Sequence, residues 1–389
     1  MRLALITHKF VRGDGQGRVN YELAGAALAE GHTVFLLATE VAPELKAHSR
    51  AYFVPIGISW LPTALLQNQV FAWRTSRWLW RHRSELDLVH ANGFVSWSRS
   101  DVNSSHFVHD AWIRSRFHTW HTRRDAYGLY QWLYGSTGTW LERGAYRRAR
   151  CIVAVSEQVR RELIASGVDR ERVRVIPNGV DTEEFFPAVA KRPVPGLPQG
   201  KIVLFIGDIK TPRKNLDTLL RAMTQVADGT LVVAGDIVGS PYPRMATKLG
   251  LDGRVCFLGF RRDIPDLMRA ASLFVFPSRY EACSLVLLEA AASGLPIVAG
   301  RTTGGTELLT PECSVLLEDS GDHVELAAAL NRLLGSAEHL ARMGEEARRV
   351  ALRNTWQRMS ARYLELYREV AERRGTENTD DAHPREAGT

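Results

Sequence analysis

The segment from Leu273 to Ala299 restricts the fold more than any other part of the chain. Leu273-Phe274-Val275-Phe276 is an unbroken apolar run of strand length. Ser284 then opens a segment of helical spacing that stops near Gly294, and Pro296 to Ala299 is apolar again. A strand, a helix and a second strand in this order fold as a crossover between parallel strands, so the segment calls for an open parallel sheet covered by helices. Glu281 falls just beyond the carboxyl end of the first strand, and Glu289 falls in the second turn of the helix. Ligands of open parallel sheets bind at that end of the strands. The amides of Ser284, Leu285 and Val286 at the helix N-terminus suit an anion. Two carboxylates around an anion site match the sugar hydroxyls, diphosphate and ribose hydroxyls of a nucleotide sugar.

The same alternation recurs along the chain. At 389 residues it exceeds what one core usually serves, so two domains are expected. In the first half, Leu3 to Ile6 reads as a strand, Gly13-Asp14-Gly15-Gln16-Gly17 as a glycine-rich turn, Val19 to Glu30 as a helix and Thr33 to Ala38 as a strand. Asp87 to Ala91 reads as a further strand, followed by Val102 to Asp110, and Ile152 to Glu157 runs from strand into helix with Ser156 as cap. Pro187, Pro193, Pro195 and Pro198 mark a linker. Beyond it the pattern restarts at Ile202 to Gly207 and continues through Thr230 to Gly235, Val255 to Phe260 and the segment described above. The expected class is therefore α/β, with two doubly wound sheets. Residues 1–187 form the first domain, 188–354 the second, an amphipathic helix over 355–371 completes the first, and 374–389 are expected to be a disordered tail.

Glu281 and Glu289 stand in an E-x7-E spacing, which by itself is common among helical proteins. Three more strings accompany it: Val175-Ile176-Pro177-Asn178-Gly179-Val180-Asp181 with Phe185, Phe186 and Pro187 after it, Gly207 to Asn215, and Gly304-Gly305-Thr306-Glu307. On these, and from Arg2 to about Val370, the chain resembles the retaining glycosyltransferases of the GT-B fold in glycosyltransferase family 4. The resemblance implies two Rossmann-like domains facing a central cleft, an N-terminal one for the acceptor and a C-terminal one for a UDP- or GDP-activated hexose or N-acetylhexosamine.

The resemblance also implies roles. Glu289 takes the ribose hydroxyls, Glu281 the hydroxyls of the donor sugar, and Arg213 with Lys214 the departing diphosphate, where preorganised charge is the largest catalytic term. Gly15 and Gly17 let backbone approach the diphosphate or the acceptor. His106 assists at the sugar, with His109 as its competitor and His109-Asp110 resembling a pair found in relatives. Glu307 is secondary. Same-face attack is expected, the leaving phosphate oxygen taking the acceptor's proton. There is no sign of the two-carboxylate arrangement of a double displacement. Neither an Asp-x-Asp at a strand end nor a His-Cys cluster occurs, so no metal or other cofactor is expected. Two departures leave the donor open: Asp208 stands where relatives often carry Arg, and Ala282-Cys283-Ser284 where they carry Gly-Phe-Gly.

Residues 67–150 hold thirteen Arg, no Lys, six acidic residues and eight of the ten Trp, so this segment alone carries the charge of +7 that the whole chain shows. Arg interleaved with Trp suits a surface that meets phosphate headgroups or an anionic bilayer, although a plain basic face over core Trp has the same composition. Arg77, Arg81, Arg83 and Trp78 are the residues expected there. The acceptor expected from this surface is a lipid-linked or phosphorylated glycan of cell-surface polysaccharide synthesis. The chain opens directly on Leu3-Ala4-Leu5-Ile6, and its longest apolar stretch, Cys283 to Gly300, is broken by Glu289 and Pro296. A cytoplasmic protein, peripheral at the inner face of the plasma membrane, is expected. Cys151, Cys256, Cys283 and Cys313 form no C-x-x-C pair and read as reduced thiols. Two alternatives stay open: a hydrolysing nucleotide-sugar epimerase of the same fold, against which the Arg/Trp segment argues, and a non-catalytic nucleotide-sugar-binding scaffold. A dehydrogenase is disfavoured because no glycine fingerprint precedes an acidic residue at the required distance.

Overall fold

In the computed structural model, which describes residues 1–58, 60–188 and 194–381, seven short strands make the first sheet. They are β1 (Arg2–Ile6), β2 (Thr33–Ala38), β3 (Ala51–Pro55), β4 (Leu88–Asn92), β5 (Val102–Ser105), β6 (Cys151–Ala154) and β7 (Val173–Val175). All pairings are parallel and the order is β3-β2-β1-β4-β5-β6-β7. Leu3 of the central strand pairs with Val34 on one side and Leu88 on the other, and Leu3 to Ile6 are buried on both faces. The second sheet repeats the plan with β8 (Ile202–Ile206), β9 (Thr230–Ala234), β10 (Val255–Gly259), β11 (Leu273–Phe276), β12 (Ile297–Gly300) and β13 (Ser314–Leu317), ordered β10-β9-β8-β11-β12-β13. In each sheet the winding reverses next to the first strand, between β1 and β4 and between β8 and β11. The loops part there and leave a crevice.

The helices that matter for the cleft are α1 (Gly15–Ala29), α2 (Ala64–His82), α3 (His109–Arg114), α4 (Ala126–Arg148), α5 (Glu157–Ala165), α6 (Leu216–Met223), α7 (Leu285–Ala292) and α8 (Trp356–Asp381). Two expectations need correction. The glycine-rich turn is shorter than read: Asp14 caps α1 by accepting the Gly17 amide at 2.6 Å, so Gly15 and Gly17 lie in the first helical turn. The last helix continues past residue 371 to Asp381, so 374–381 are helical rather than disordered, and 382–389 lie outside the described residues. Arg374 ties this extension down by donating to the carbonyls of Asp87 (2.9 Å) and Leu86 (3.2 Å). Of the linker prolines, Pro193 lies outside the described residues.

Helix α8 returns the chain to the first domain. Tyr363 and Tyr367 are wholly buried against β4 and β5: Tyr367 Oη meets His90 Nδ1 at 2.5 Å, and Ser104 Oγ meets both His90 Nε2 (2.7 Å) and Tyr363 Oη (3.0 Å). The crossing is tight where Gly179 faces the start of α8, since a Cβ there would lie 2.5 Å from the Trp356 nitrogen.

One residue joins the two loops of the second crevice. Asn215, with φ of +62°, is the sole non-glycine residue of positive φ among those described. Its amide nitrogen donates to Pro277 O at the end of β11 (2.9 Å) and to Ser320 O. Asparagine tolerates the left-handed region better than other side chains, and the two bonds hold it there. Asn215→Ala loses both bonds and keeps the strained φ, so the unfolding free energy should fall by about 2–4 kcal/mol in urea titrations followed by circular dichroism. Asn215→Gly relieves the φ alone and should fall between Ala and wild type.

Candidate active site

The loop after β8 and the loop after β11 are stitched together before any side chain reaches the cleft. The Arg279 amide donates to Arg213 O at 2.9 Å, Ser278 Oγ donates to the same carbonyl at 3.1 Å, and the Arg279 guanidinium grips Asp217 at 2.7 and 3.0 Å. This brings Lys214 onto Glu281: its ammonium pairs with Glu281 Oε1 and sits 4.9 Å from the centre of the Phe276 ring. Arg213 Nη1 lies 3.6 Å from the same oxygen. Burial pulls the Lys214 ammonium below its ordinary pKa, Glu281 opposing this and Arg213 adding to it. The structure thus gathers Arg213, Lys214 and Glu281 into one cluster at the carboxyl ends of β8 and β11.

Helix α7 begins beside this cluster. Gly304 presses against it so closely that a Cβ would lie 1.9 Å from Ala282 O. The Ser284 amide donates to Gly304 O at 3.1 Å, and so is not free for an anion as the sequence suggested; no side chain caps the helix. Leu285 packs onto the core of the first domain and lies 4.0 Å from where a Cβ of Gly15 would stand, so the N-termini of α1 and α7 face each other across the cleft. Glu289, half-buried on α7, has its pKa raised to about 7, chiefly by burial, with Glu184 adding and Arg18 opposing. Arg18 is a residue the sequence reading missed. It joins α1 to the interdomain segment through Glu22 (2.7 Å), Asp181 (3.3 Å) and Glu184 (3.5 Å).

On the other side, the crevice of the first sheet holds a cavity of about 260 Å³, lined among others by Gln16, Asn68, Asn92, His106, Tyr134 and Glu142. Asn92 organises its floor. Its amide donates to Ile6 O (3.1 Å) and Asn20 Oδ1 (2.9 Å), which leaves Oδ1 to accept from His106 Nε2 at 3.1 Å. That assigns the His106 proton to Nε2 and leaves Nδ1 as an acceptor. Burial lowers the His106 pKa to about 4, so the ring is neutral at neutral pH. Although His109 and Asp110 are adjacent, their side chains take different partners: Asp110 pairs with Arg114 and Arg143. His109 Nδ1 lies 2.8 Å from Glu142 Oε1 instead, and that carboxylate more than offsets the lowering by burial, so the pKa is raised. Gly138 makes room for the ring, a Cβ there meeting His109 Cδ2 at 2.8 Å.

The domains touch through the loop that carries Glu281. Tyr280 Oη donates to Glu162 of α5 at 3.0 Å and accepts from the Val108 amide at 3.4 Å, while Glu307 Oε1 accepts from the first amide of α5, that of Glu157, at 2.7 Å. Glu307 is therefore a domain-to-domain contact. The expected basic surface is split: Arg77 and Arg81 are exposed on α2, whereas Arg83 grips Asp101 at 2.8 and 3.0 Å and Trp78 stacks on His82 at 4.4 Å and packs on Phe35. Exposed aromatic residues on the helix are Trp73 and Trp80. Among the described residues, no helix is long and apolar enough to cross a membrane, and no group of three or more His, Cys, Asp or Glu is placed to hold a metal ion.

Residues 13–184 match the family described as Glycosyltransferase Family 4, and residues 200–336 the family described as Glycosyl transferases group 1. The D-inositol 3-phosphate glycosyltransferase of Salinispora tropica is 36% identical over 232 residues, 53% of this chain and 48% of that protein. The UDP-Gal:alpha-D-GlcNAc-diphosphoundecaprenol alpha-1,3-galactosyltransferase of Escherichia coli is 31% identical over 178 residues, 43% of this chain and 46% of that protein. The match thus spans about half the length of these curated relatives. Among solved structures, sucrose-phosphate synthase from Thermosynechococcus elongatus shares the fold, with a TM-score of 0.75 at 22% identity over 95% of this chain and 98% of that one.

Ionised Glu289 is an acceptor only, and ribose hydroxyls are donors, so a bound ribose favours the charged form. In the free protein the raised pKa means that stability present below the ordinary carboxyl value is lost as pH rises through about 7. Ribose binding at this position should release a proton near neutrality. The affinity for a nucleotide seated with its ribose at Glu289 should then climb from pH 6 to pH 8, by at most about tenfold per unit, and flatten above. Calorimetric titration at several pH values checks this, and Glu289→Gln should remove the slope.

Proposed function

The chain belongs to glycosyltransferase family 4 and has the GT-B fold, and on that premise we propose that it is a retaining glycosyltransferase acting on a nucleotide sugar. The observation that carries the reading is the Arg213-Lys214-Glu281 cluster, set at a strand-end crevice beside α7, whose N-terminus faces that of α1 across the cleft. Negative charge builds on the diphosphate as the anomeric C–O bond breaks. Arg213 and Lys214 meet that charge without a divalent ion, inside a cleft where solvent screens little. Glu281 holds the lysine in place and accepts hydroxyls of the donor sugar, and Glu289 accepts those of the ribose. The acceptor hydroxyl attacks the anomeric carbon on the face the diphosphate leaves, and its proton passes to the leaving phosphate oxygen. Neutral His106 receives a donor-sugar hydroxyl at Nδ1 and places electron density beside the developing oxocarbenium ion.

The donor is a UDP- or GDP-hexose or N-acetylhexosamine, and the name of the Escherichia coli relative supports UDP. The same name supports a lipid-linked acceptor, as does the exposed face of α2. Trp73, Arg77, Trp80 and Arg81 follow one another at helical spacing and share one side of the helix. Trp73 is 56% exposed and Trp80 82%, which suits contact with an anionic bilayer at the inner face of the plasma membrane.

Calorimetry with UDP, GDP and ADP in metal-free buffer should show one nucleotide binding the wild type, with affinity falling at least about 30-fold in Lys214→Ala, one charge-assisted bond's worth. Absence of binding by all three overturns the glycosyltransferase reading. For the surface, sedimentation with phosphatidylglycerol vesicles should lose about tenfold in partitioning when Trp73, Arg77, Trp80 and Arg81 are all replaced by Ser. Unchanged partitioning removes the membrane from the account.

A further inference from the structure

Most of the arginines on the acceptor side have an assigned partner, and Arg148 does not. Arg83 grips Asp101, Arg114 and Arg143 share Asp110, and Arg123 takes Asp125. Arg148, at the last turn of α4, stacks over the Trp97 ring at 5.9 Å; its Nε and Nη2 are shielded from water and have no hydrogen-bond partner among the described residues. A guanidinium that has given up water on two nitrogens without a carboxylate in exchange is costly unless something else completes it. The guanidinium packs over Gly144, where a Cβ would stand 3.2 Å from Nη1, so the missing side chain makes room for it.

Trp97 connects this cation to the acceptor cavity. Its ring is 4.9 Å from Phe94, which lines the cavity, and 6.3 Å from Trp140 on the next stretch of α4. The cavity itself has the opposite character. Among the described residues that line it there is no Lys or Arg, and its carboxylate, Glu142, is paired with His109. Gln16, Asn68, Asn92 and Tyr134 offer hydroxyl partners, and Phe94 and Phe107 offer ring faces, within a space of about 260 Å³. This is just below the ~300 Å³ at which drug-sized pockets begin. A phosphate on the reacting ring would meet Glu142. One carried further out, roughly 9 Å along α4 at 1.5 Å per residue, would meet Arg148.

Building on the glycosyltransferase reading, we propose that the acceptor is a glycoside whose reacting ring is uncharged and whose phosphodiester or diphosphate, on the side away from the reacting hydroxyl, binds Arg148 beside Trp97. Nη1, the nitrogen that is not shielded, donates to a phosphate oxygen while the indole covers the face of the guanidinium. The site excludes polyols phosphorylated on the reacting ring.

The test is binding to the full-length protein, followed by tryptophan fluorescence. Five probes are used: N-acetylglucosamine α-diphosphate bearing an octyl chain, octyl N-acetylglucosaminide, inositol 3-phosphate, inositol and inorganic pyrophosphate. The wild type should bind the diphosphate glycoside at least about tenfold more tightly than the neutral one, one charge-assisted bond's worth. Arg148→Gln should erase that preference and leave neutral-glycoside and nucleotide affinity unchanged; Arg148→Lys should keep part of it, and Arg332→Gln, at an exposed arginine of the second domain, all of it. Inositol 3-phosphate should bind no better than inositol. Preference surviving in Arg148→Gln, tighter binding of inositol 3-phosphate than inositol, or pyrophosphate binding as tightly as the diphosphate glycoside each overturns the proposal. Should Arg148→Gln fail to fold, Arg148→Lys decides: a preference reduced but not abolished is expected, and an unchanged preference overturns the proposal. Failure of the underlying reading appears separately, as absence of UDP and GDP binding in calorimetry.

Discussion

The cleft depends on a buried charge pair between Lys214 and Glu281. Burying two charges costs several kcal/mol per ion, and the pair is tolerated only where geometry is tight and the remaining valences are occupied. Both conditions come from backbone. The loops carrying the two residues are bound to each other by the Arg279 amide, Ser278 Oγ and the Asn215 side chain, all acting on carbonyls of the partner loop or of its neighbour. The charged groups are therefore placed before a ligand arrives, and the energy of arranging them belongs to folding rather than to binding or catalysis.

Position in the sheet explains why these loops meet. β8 and β11 are neighbours in space although β9, β10 and their helices separate them in sequence, because the second sheet grows first one way from β8 and then the other. The first sheet does the same around β1 and β4, and its crevice holds the polar cavity with His106. The two crevices are held face to face by Tyr280 and Glu307, which bind α5 and Val108 just before α3 of the other domain, and by α8, which locks onto β4 and β5 through a buried histidine and two tyrosines. The His106 cavity and the Arg213-Lys214-Glu281 cluster thus lie on opposite walls of one cleft.

Much of this was legible in the residues. Apolar runs with glycine and proline punctuation marked most of the strands, and β3, β7 and β13 were missed because their runs are short or mixed with polar residues. The cluster of Arg213, Lys214 and Glu281 was anticipated because each lies directly after a recognisable strand. Asn92, Glu142, Arg18 and Arg148 were not. Their significance lies in what they face, and no local pattern distinguishes a strand-end asparagine from any other. The arginine-rich segment shows the same limit: composition marked 67–150 as unusual, yet Arg83 and Trp78 face inward while Arg77 and Trp80 face solvent.

The amino-acid sequence by itself determined the class of fold, the two-domain division and the strand ends at which chemistry gathers, because hydrophobic periodicity and turn residues act over a few neighbours. Tertiary structure alone decided which charges are paired and which are left open, since Lys214 meets Glu281 across 67 positions and Tyr367 meets His90 across 277. Ionisation, tautomer and accessibility follow from such long-range contacts: His106 is neutral because β4 and β5 bury it, and Arg148 lies over Trp97 with two shielded nitrogens that have no hydrogen-bond partner among the described residues.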